Sequence, residues 1–240
     1  FKSLLIISGA FGLFRRTAVL EAGGFLVGTV AEDMELVVRL HKHFLRERKP
    51  YNIRFTPDPI CWTEVPSDLG TLRRQRNRWH RGLWETLWTH KDMLFNPRYG
   101  RVGLVAVPYF WLFEALAPVV EITGYLLVGV GMVAGFLSPR FAILFVVLAV
   151  LYGMLTSQLA AGIETFLSNR YPRLRDRAIL FAAAFLEFVG YRQFLALERT
   201  VATVQVPFKR GQWGKMHRQG IRGTSAPPPA AHEEKTPAGV

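Results

Sequence analysis

The sequence contains a single cysteine, Cys61, so no disulfide can form within the chain. It contains no Asn-x-Ser or Asn-x-Thr sequon and no internal repeat. It opens neither with methionine nor with a charged-then-apolar leader pattern, and residues 1–7 look like the interior of a domain. These absences give no indication of an oxidising compartment or a repeat architecture. We interpret the chain as the C-terminal part of a longer protein.

Acidic side chains are also scarce. The 240 residues contain 18 Asp and Glu against 30 Lys and Arg, a formal net charge of +12, although half of the residues are apolar. High charge and high apolar content rarely share one soluble domain, so we expect them in separate parts of the chain. No charged side chain occurs from Phe141 to Ile163, and a second uncharged run, Ile122 to Pro139, extends backward across Glu121 to Ala115. Because about 20 apolar helical residues cross a bilayer core, both runs are predicted to be membrane spans.

A third apolar segment, Ala178 to Val206, is less regular. It is interrupted by four charged residues: Glu187, Arg192, Glu198 and Arg199. Charged side chains raise the free energy of membrane insertion. The segment is therefore interpreted as a third span or as a helix packed against the others.

Residues 1–66 show an alternating pattern. Leu4 to Ile7 and Tyr51 to Phe55 have the length and character of strands, and apolar residues recur at helical spacing after Gly28. Such alternation predicts an α/β layer. The chain is therefore divided into an α/β part (1–66), an amphipathic helix with its connection (67–101), α-helical membrane segments (102–206) and a basic, then disordered, tail (207–240).

Residues 72 to 88 contain five arginines and three tryptophans. An amphipathic helix in the headgroup layer before the first span explains most of this composition, because basic residues keep their side of the membrane in the cytoplasm and tryptophans anchor the interface. It does not explain Gln75, Arg78 and Trp79, whose spacing puts an amide, a guanidinium and an indole on roughly one side. A guanidinium binds phosphate oxygens and an indole stacks on a ring, so these three are candidate ligand-binding residues.

Three acids, Glu32, Asp33 and Glu35, lie at the predicted start of the helix after Gly28. In one interpretation Asp33 caps this helix and its neighbours complement the helix dipole. In the other, a carboxylate here is a general base that removes a proton from an attacking hydroxyl group. The local sequence is compatible with both.

Together these motifs resemble the membrane-embedded members of glycosyltransferase family 2, which include cellulose, chitin, hyaluronan and poly-N-acetylglucosamine synthases. Those proteins combine a Thr-Glu-Asp type of catalytic acid with Gln-x-x-Arg-Trp and membrane spans. Here the first motif appears as Thr29-Val30-Ala31-Glu32-Asp33, with alanine directly before Glu-Asp, and Gln75-Arg76-Asn77-Arg78-Trp79 matches the second in full. The resemblance implies a GT-A fold for the α/β part.

The resemblance also assigns roles to individual residues. It makes Asp33 the catalytic base beside Glu32, puts Gln75, Arg78 and Trp79 on the acceptor-side and diphosphate-facing wall, and lets Ser8 and Gly9 line the acceptor terminus. One base suffices when the leaving group is a nucleoside diphosphate, so the implied reaction is an inverting transfer of a sugar from a nucleotide-sugar to a hydroxyl of a glycan or lipid-linked acceptor. Polysaccharide synthesis is the implied process.

The family holds its nucleotide-sugar and a divalent metal mainly through an Asp-x-Asp motif, and no such triplet occurs in this sequence. We therefore expect Mg²⁺ or Mn²⁺ as a cofactor with its ligands in an earlier part of the longer protein, and we assign no metal ligand here. The chain alone is expected to be inactive. The expected location is the inner or plasma membrane, with the catalytic part in the cytosol.

The competing hypothesis is a non-enzymatic membrane subunit that docks a partner or anionic lipid through its basic amphipathic helix. The basic tail segment around Trp213 is interpreted as a contact with membrane lipids, and no nucleic-acid partner is expected.

His41 and His43 lack metal-ligand spacing and are predicted to be surface residues. The acids of the apolar segments, among them Glu114 and Glu121, either line a path for a growing glycan or pair with Arg192 and other helices.

Overall fold

The computed structural model describes residues 3–7, 9–56, 61, 63–167 and 173–209. The regular structure in these ranges is helical. The main helices are α1 (Arg16–Glu21), α2 (Glu32–Arg46), α3 (Leu69–Thr89), α4 (Val107–Tyr109), α5 (Ala117–Val133), α6 (Pro139–Leu167), α7 (Leu174–Leu186) and α8 (Tyr191–Gln205). Two 3₁₀ turns, Lys91–Met93 and Pro97–Tyr99, connect α3 to the helices that follow.

The two predicted strands are not formed. The described residues contain no β-strand, and the segments 4–7 and 51–55 are extended without pairing. A strand exists only where a neighbouring backbone completes its hydrogen bonds, and these two segments do not pair with each other. The strands of the α/β prediction are therefore absent from the described part of the chain, whereas the helix that it placed after Gly28 is present as α2.

The main buried cluster joins α2 and α3 to the connection that follows them. Eleven buried residues form it: Leu5, Met34, Val38, Leu83, Leu87, Met93, Tyr99, Val102, Ala106, Val107 and Ala115. Because each of these segments contributes apolar side chains, burial fixes α2 and α3 relative to the first apolar helix. Asp68 starts α3, since its carboxylate accepts a hydrogen bond from the Thr71 amide at 2.8 Å.

Two helices are long and apolar enough to cross a membrane, Val102–Val133 and Pro139–Phe166. The first is one continuous helix that contains wide π-helical turns beside Pro108 and before Pro118, where an amide donor is missing. It ends at Val133, earlier than the predicted Pro139, which instead begins α6. The predicted third segment is broken into α7 and α8, which are bent by 58° relative to each other, and the connecting Gly190 has φ +86°.

Glu114 and Glu121 pair with arginines, which was one of the two alternatives, whereas Glu187 accepts a hydrogen bond from the Ser157 hydroxyl group. Arg199 lies 3.1 Å from the Glu114 carboxylate, and Arg192 lies 3.5 Å from that of Glu121. Arg199 also donates to the Glu114 carbonyl oxygen at 2.6 Å. That carbonyl lacks its usual helical donor because the residue four positions later is Pro118. The contacts therefore join α8 to the first apolar helix beside Pro118.

Candidate active site

Asp33 is the second residue of α2, and Ala31 occupies the N-cap position. One carboxylate oxygen of Asp33 accepts the Met34 amide at 2.8 Å, which satisfies one of the donors left unpaired in the first helical turn. The other oxygen faces Gly9, and a Cβ added to Gly9 would collide with it. Asp33 is therefore not the helix cap, and its carboxylate lies against the glycine of the predicted Ser8-Gly9 pair. Ser8 itself lies outside the described residues.

The segment before Asp33 packs on α3 at Gly82. A Cβ built on Gly82 would overlap the Ala31 methyl group and would lie 3.3 Å from both the Ala31 nitrogen and Val30 Cγ2. One turn further along α3, a Glu85 carboxylate oxygen lies 3.4 Å from the Val30 amide nitrogen. The Gln-x-x-Arg-Trp helix and the Glu-Asp segment are thus in direct backbone-level contact.

The helical repeat relates this contact to the predicted ligand-binding residues. Arg78 and Gln75 lie four and seven residues before Gly82, so all three lie along one face of α3. Arg78 is half-buried, and its positive charge lowers the pKa of the neighbouring Arg81 in addition to the larger effect of burial. Trp79 is 49% exposed, and the Arg76 guanidinium stacks over its ring at 4.8 Å from the centroid. An indole with this exposure is accessible to a ligand.

No group of three or more His, Cys, Asp or Glu side chains in the described ranges has the arrangement of a metal site. The residues placed here do not by themselves form a divalent-metal site.

A buried network behind Asp33 was not predicted. Glu35 is 2% exposed, and its carboxylate lies 3.0 Å from both Arg39 Nε and His90 Nε2. Burial disfavours its charge, but hydrogen bonds from His90 and Arg39 outweigh burial and hold the pKa of Glu35 below its ordinary value. Arg39 also donates to the carbonyl oxygens of Ala22 and Gly24 at the end of α1. The Glu35-Arg39 spacing of four was visible in the sequence, whereas His90 is distant in the chain.

His41 is fully buried, so the prediction of a surface residue is wrong. Its Nε2 lies 2.8 Å from the Leu4 carbonyl oxygen, and its Nδ1 lies 2.7 Å from the Tyr51 hydroxyl oxygen. A carbonyl only accepts, so Nε2 carries the proton and Nδ1 accepts from tyrosine. Burial lowers the pKa of His41. This neutral ring ties both extended segments to α2.

The opposite face of α3 packs on α8 through polar contacts. Arg73 lies 2.9 Å from the Glu198 carboxylate, and the Asn77 amide donates to Gln205 at 3.2 Å. His80 lies between them, with Nε2 at 2.9 Å from the Thr203 hydroxyl and Nδ1 at 3.3 Å from Arg199 Nε. The Arg199 guanidinium and the Trp84 indole, which lies 3.2 Å from Nε2, can only donate, so the ring is not doubly protonated and is neutral. Burial and then the charge of Arg199 lower the pKa of His80 to about 3.

Acidification is expected to destabilise this interface through His80. The unfolded histidine has a pKa of about 6.5 and the folded one about 3, so the unfolded state binds the extra proton. The stabilisation is complete above pH 6.5 and is lost progressively as the pH falls below it, by up to about 1.4 kcal/mol per pH unit. The apparent melting temperature of the purified full-length protein is expected to fall from pH 7.5 to pH 5.

The substitution His80→Gln is expected to reduce this fall, because glutamine keeps a donor and an acceptor but does not titrate. The melting temperature of this variant should still fall to some extent, because burial also lowers the pKa of His41 and so makes its stabilisation depend on pH in the same direction. His43→Gln, at a partly exposed position on α2, is the matched control and should behave like wild type. An equal loss of melting temperature in wild type and His80→Gln would contradict this assignment.

The comparisons with known proteins identify the family of this chain. The model described as glycosyl transferase family group 2 matches residues 1–156, and the chain belongs to this family. It is similar to poly-beta-1,6-N-acetyl-D-glucosamine synthase of Staphylococcus aureus (strain COL), at 33% identity over 110 residues, 46% of this chain and 24% of that protein. The synthase of that name from Staphylococcus epidermidis is 29% identical over 111 residues, 43% of this chain and 26% of that protein.

The chain spans about a quarter of the length of these relatives. No solved structure matches it.

Proposed function

We propose that the protein is an inverting glycosyltransferase that moves a sugar from a nucleotide-diphosphate donor to a hydroxyl group of a glycan or lipid-linked acceptor at the membrane. The observation that supports this most is the contact of Ala31 with Gly82, because it joins the Glu-Asp segment to the Gln-x-x-Arg-Trp helix. Membership of glycosyl transferase family group 2 supports the reaction class.

In the proposed reaction the Asp33 carboxylate takes the proton of the acceptor hydroxyl group while the hydroxyl oxygen attacks the anomeric carbon of the donor sugar. The bond between that carbon and the diphosphate oxygen breaks, and the nucleoside diphosphate leaves with the electron pair. Displacement in one step inverts the anomeric centre. Arg78 stabilises the charge that develops on the departing diphosphate, and Glu32 lies beside the base on the same helix turn.

The other site residues bind and orient the substrates in this proposal. The exposed Trp79 ring stacks on a sugar, and the Gln75 amide forms hydrogen bonds on the same side of α3. Gly9, which has no side chain, lets the backbone approach the Asp33 carboxylate closely. The family resemblance implies Mg²⁺ or Mn²⁺, but the described residues include no group of three or more His, Cys, Asp or Glu side chains that could hold the ion.

We further propose that the extended segments 4–7 and 51–55 belong to the sheet of a GT-A domain in the full-length protein. This proposal is supported by the fact that the chain spans only about a quarter of the length of its relatives. The apolar helices would anchor the protein in the inner or plasma membrane, with the catalytic part in the cytosol and α3 near the lipid headgroups.

The competing docking function has less support. The basic helix α3 uses Arg73 for a contact with Glu198, and Arg81 donates to the Lys209 carbonyl oxygen at 2.5 Å. These arginines are committed within the chain, so the charge available to attract an external anionic partner is smaller than the sequence implies.

Incubating membranes that contain the full-length protein with a panel of labelled nucleotide-sugars tests the proposal. Because the relatives are named as synthases of an N-acetyl-D-glucosamine polymer, nucleotide-activated N-acetylglucosamine is the first donor to test. Incorporation of label into a product, followed by sizing, is the expected result. Membranes prepared without the protein are the control, and no transfer from any donor by well-expressed protein would reject the proposal.

A further inference from the structure

Gly82 is a buried glycine in the interior of α3. A glycine in the interior of a helix destabilises the helix by about 1 kcal/mol relative to alanine at the same position. Nothing in the helical backbone of α3 requires glycine here, because Gly82 is absent from the residues with positive φ. The space around it does require glycine, since a Cβ would overlap the Ala31 methyl group.

The contact joins the two segments that carry the groups of the proposed reaction. Asp33 is two residues beyond Ala31, and Arg78 is one helical turn before Gly82. Both connections are short and rigid, because α2 begins at Glu32 and α3 is continuous through residues 78 and 82. A change of spacing at the Ala31-Gly82 contact therefore changes the separation of the Asp33 carboxylate and the Arg78 guanidinium.

We infer that Gly82 and Ala31 are positioning residues, whose close contact sets the distance between the base on α2 and the guanidinium on α3. This inference rests on the proposed function. An extra methyl group at position 82 would push α3 away from the Glu-Asp segment. Such displacements are costly, since a misplacement of about 1 Å can reduce a reaction rate about 100-fold.

The test is a reciprocal swap in the full-length protein. Gly82→Ala should lower kcat about 10-fold to 100-fold, with a smaller change in the apparent KM for the donor, because each group keeps its own substrate contact. In the double variant Ala31→Gly/Gly82→Ala, one methyl group again occupies the contact. The new Cβ then meets the backbone nitrogen of residue 31 and Val30 Cγ2, each at 3.3 Å. The kcat of the double variant is expected to return to within about threefold of wild type.

Gly124→Ala is the matched control. Gly124 is also a helical glycine, but a Cβ there meets no atom within 4 Å in the described structure. This variant should keep the wild-type kcat, which separates a collision at residue 82 from a general effect of replacing glycine in a helix.

The outcomes distinguish the inference from the function on which it rests. Full activity of Gly82→Ala, or a double variant no better than Gly82→Ala, overturns the positioning role even if wild type is active and Asp33→Asn is not. If Gly82→Ala fails to accumulate in membranes, recovery of both abundance and activity in the double variant supports the contact, and no recovery overturns it. A wild-type protein that transfers no sugar rejects both proposals.

Discussion

Asp33→Asn in the full-length protein is expected to abolish sugar transfer without reducing its abundance in the membrane. Loss of a general base reduces rates about 100-fold to 10,000-fold. Asparagine has the same shape and keeps an oxygen that can accept the Met34 amide, a hydrogen bond of 2.8 Å in wild type. It also adds no heavy atom toward Gly9. The first turn of α2 should therefore keep its structure, so that only the capacity to accept a proton is lost.

Initial rates of label transfer and immunoblots of the same membranes measure this prediction. Glu47→Gln is the matched control, since it makes the same chemical change at an exposed residue just beyond the other end of α2. It should leave the rate unchanged. Normal transfer by Asp33→Asn would contradict the role of Asp33 as a base, and it is the result that a non-enzymatic membrane subunit predicts.

Replacement of Arg78 is expected to have the second largest effect. Removing one preorganised donor to a developing negative charge typically lowers kcat about 100-fold to 1,000-fold. Arg78→Ala should show this loss. Arg78→Lys should recover only part of it, because an ammonium group keeps the charge but lacks the planar fork that binds two phosphate oxygens.

Steady-state rates over a range of donor concentrations test the Arg78 prediction. The control is Arg74→Lys, one turn earlier in α3, where the exposed guanidinium donates to the Thr71 hydroxyl at 2.9 Å. Its rate should equal that of wild type. Equal activity of Arg78→Lys and wild type would show that position 78 supplies only charge, and full activity of Arg78→Ala would exclude it from the site.

The existence of both apolar helices was predictable, and the bounds of the second to within a few residues, whereas the strands were not found. The absence of charge from Phe141 to Ile163 is a property of composition, and α6 spans that whole run. The run Ile122 to Pro139 also lies mainly in a helix, but the structure extends this helix back to Val102. A strand depends on a neighbouring backbone that a local pattern cannot show, and the described segments 4–7 and 51–55 have none.

The candidate site was predictable where its residues share one element. Helical spacing puts Gln75 and Arg78 along one face, and α3 is a helix over both. The pairing of Glu35 with His90 was not predictable, because 55 residues separate them. The burial of His41 was missed for the same reason, since its partners Leu4 and Tyr51 belong to other segments.

Local sequence alone decided which segments are helical and apolar. It also decided which residue types stand at the start of α2 and along α3. Both follow from periodicity and charge, which are properties of residues that are neighbours in the chain. Packing decided the rest. Only the folded chain brings Gly82 against Ala31 and Gly9 against Asp33, since contacts between distant segments depend on how buried surfaces fit together. In the proposed site, that fit rather than either motif sets the distance between the Asp33 carboxylate and the Arg78 guanidinium.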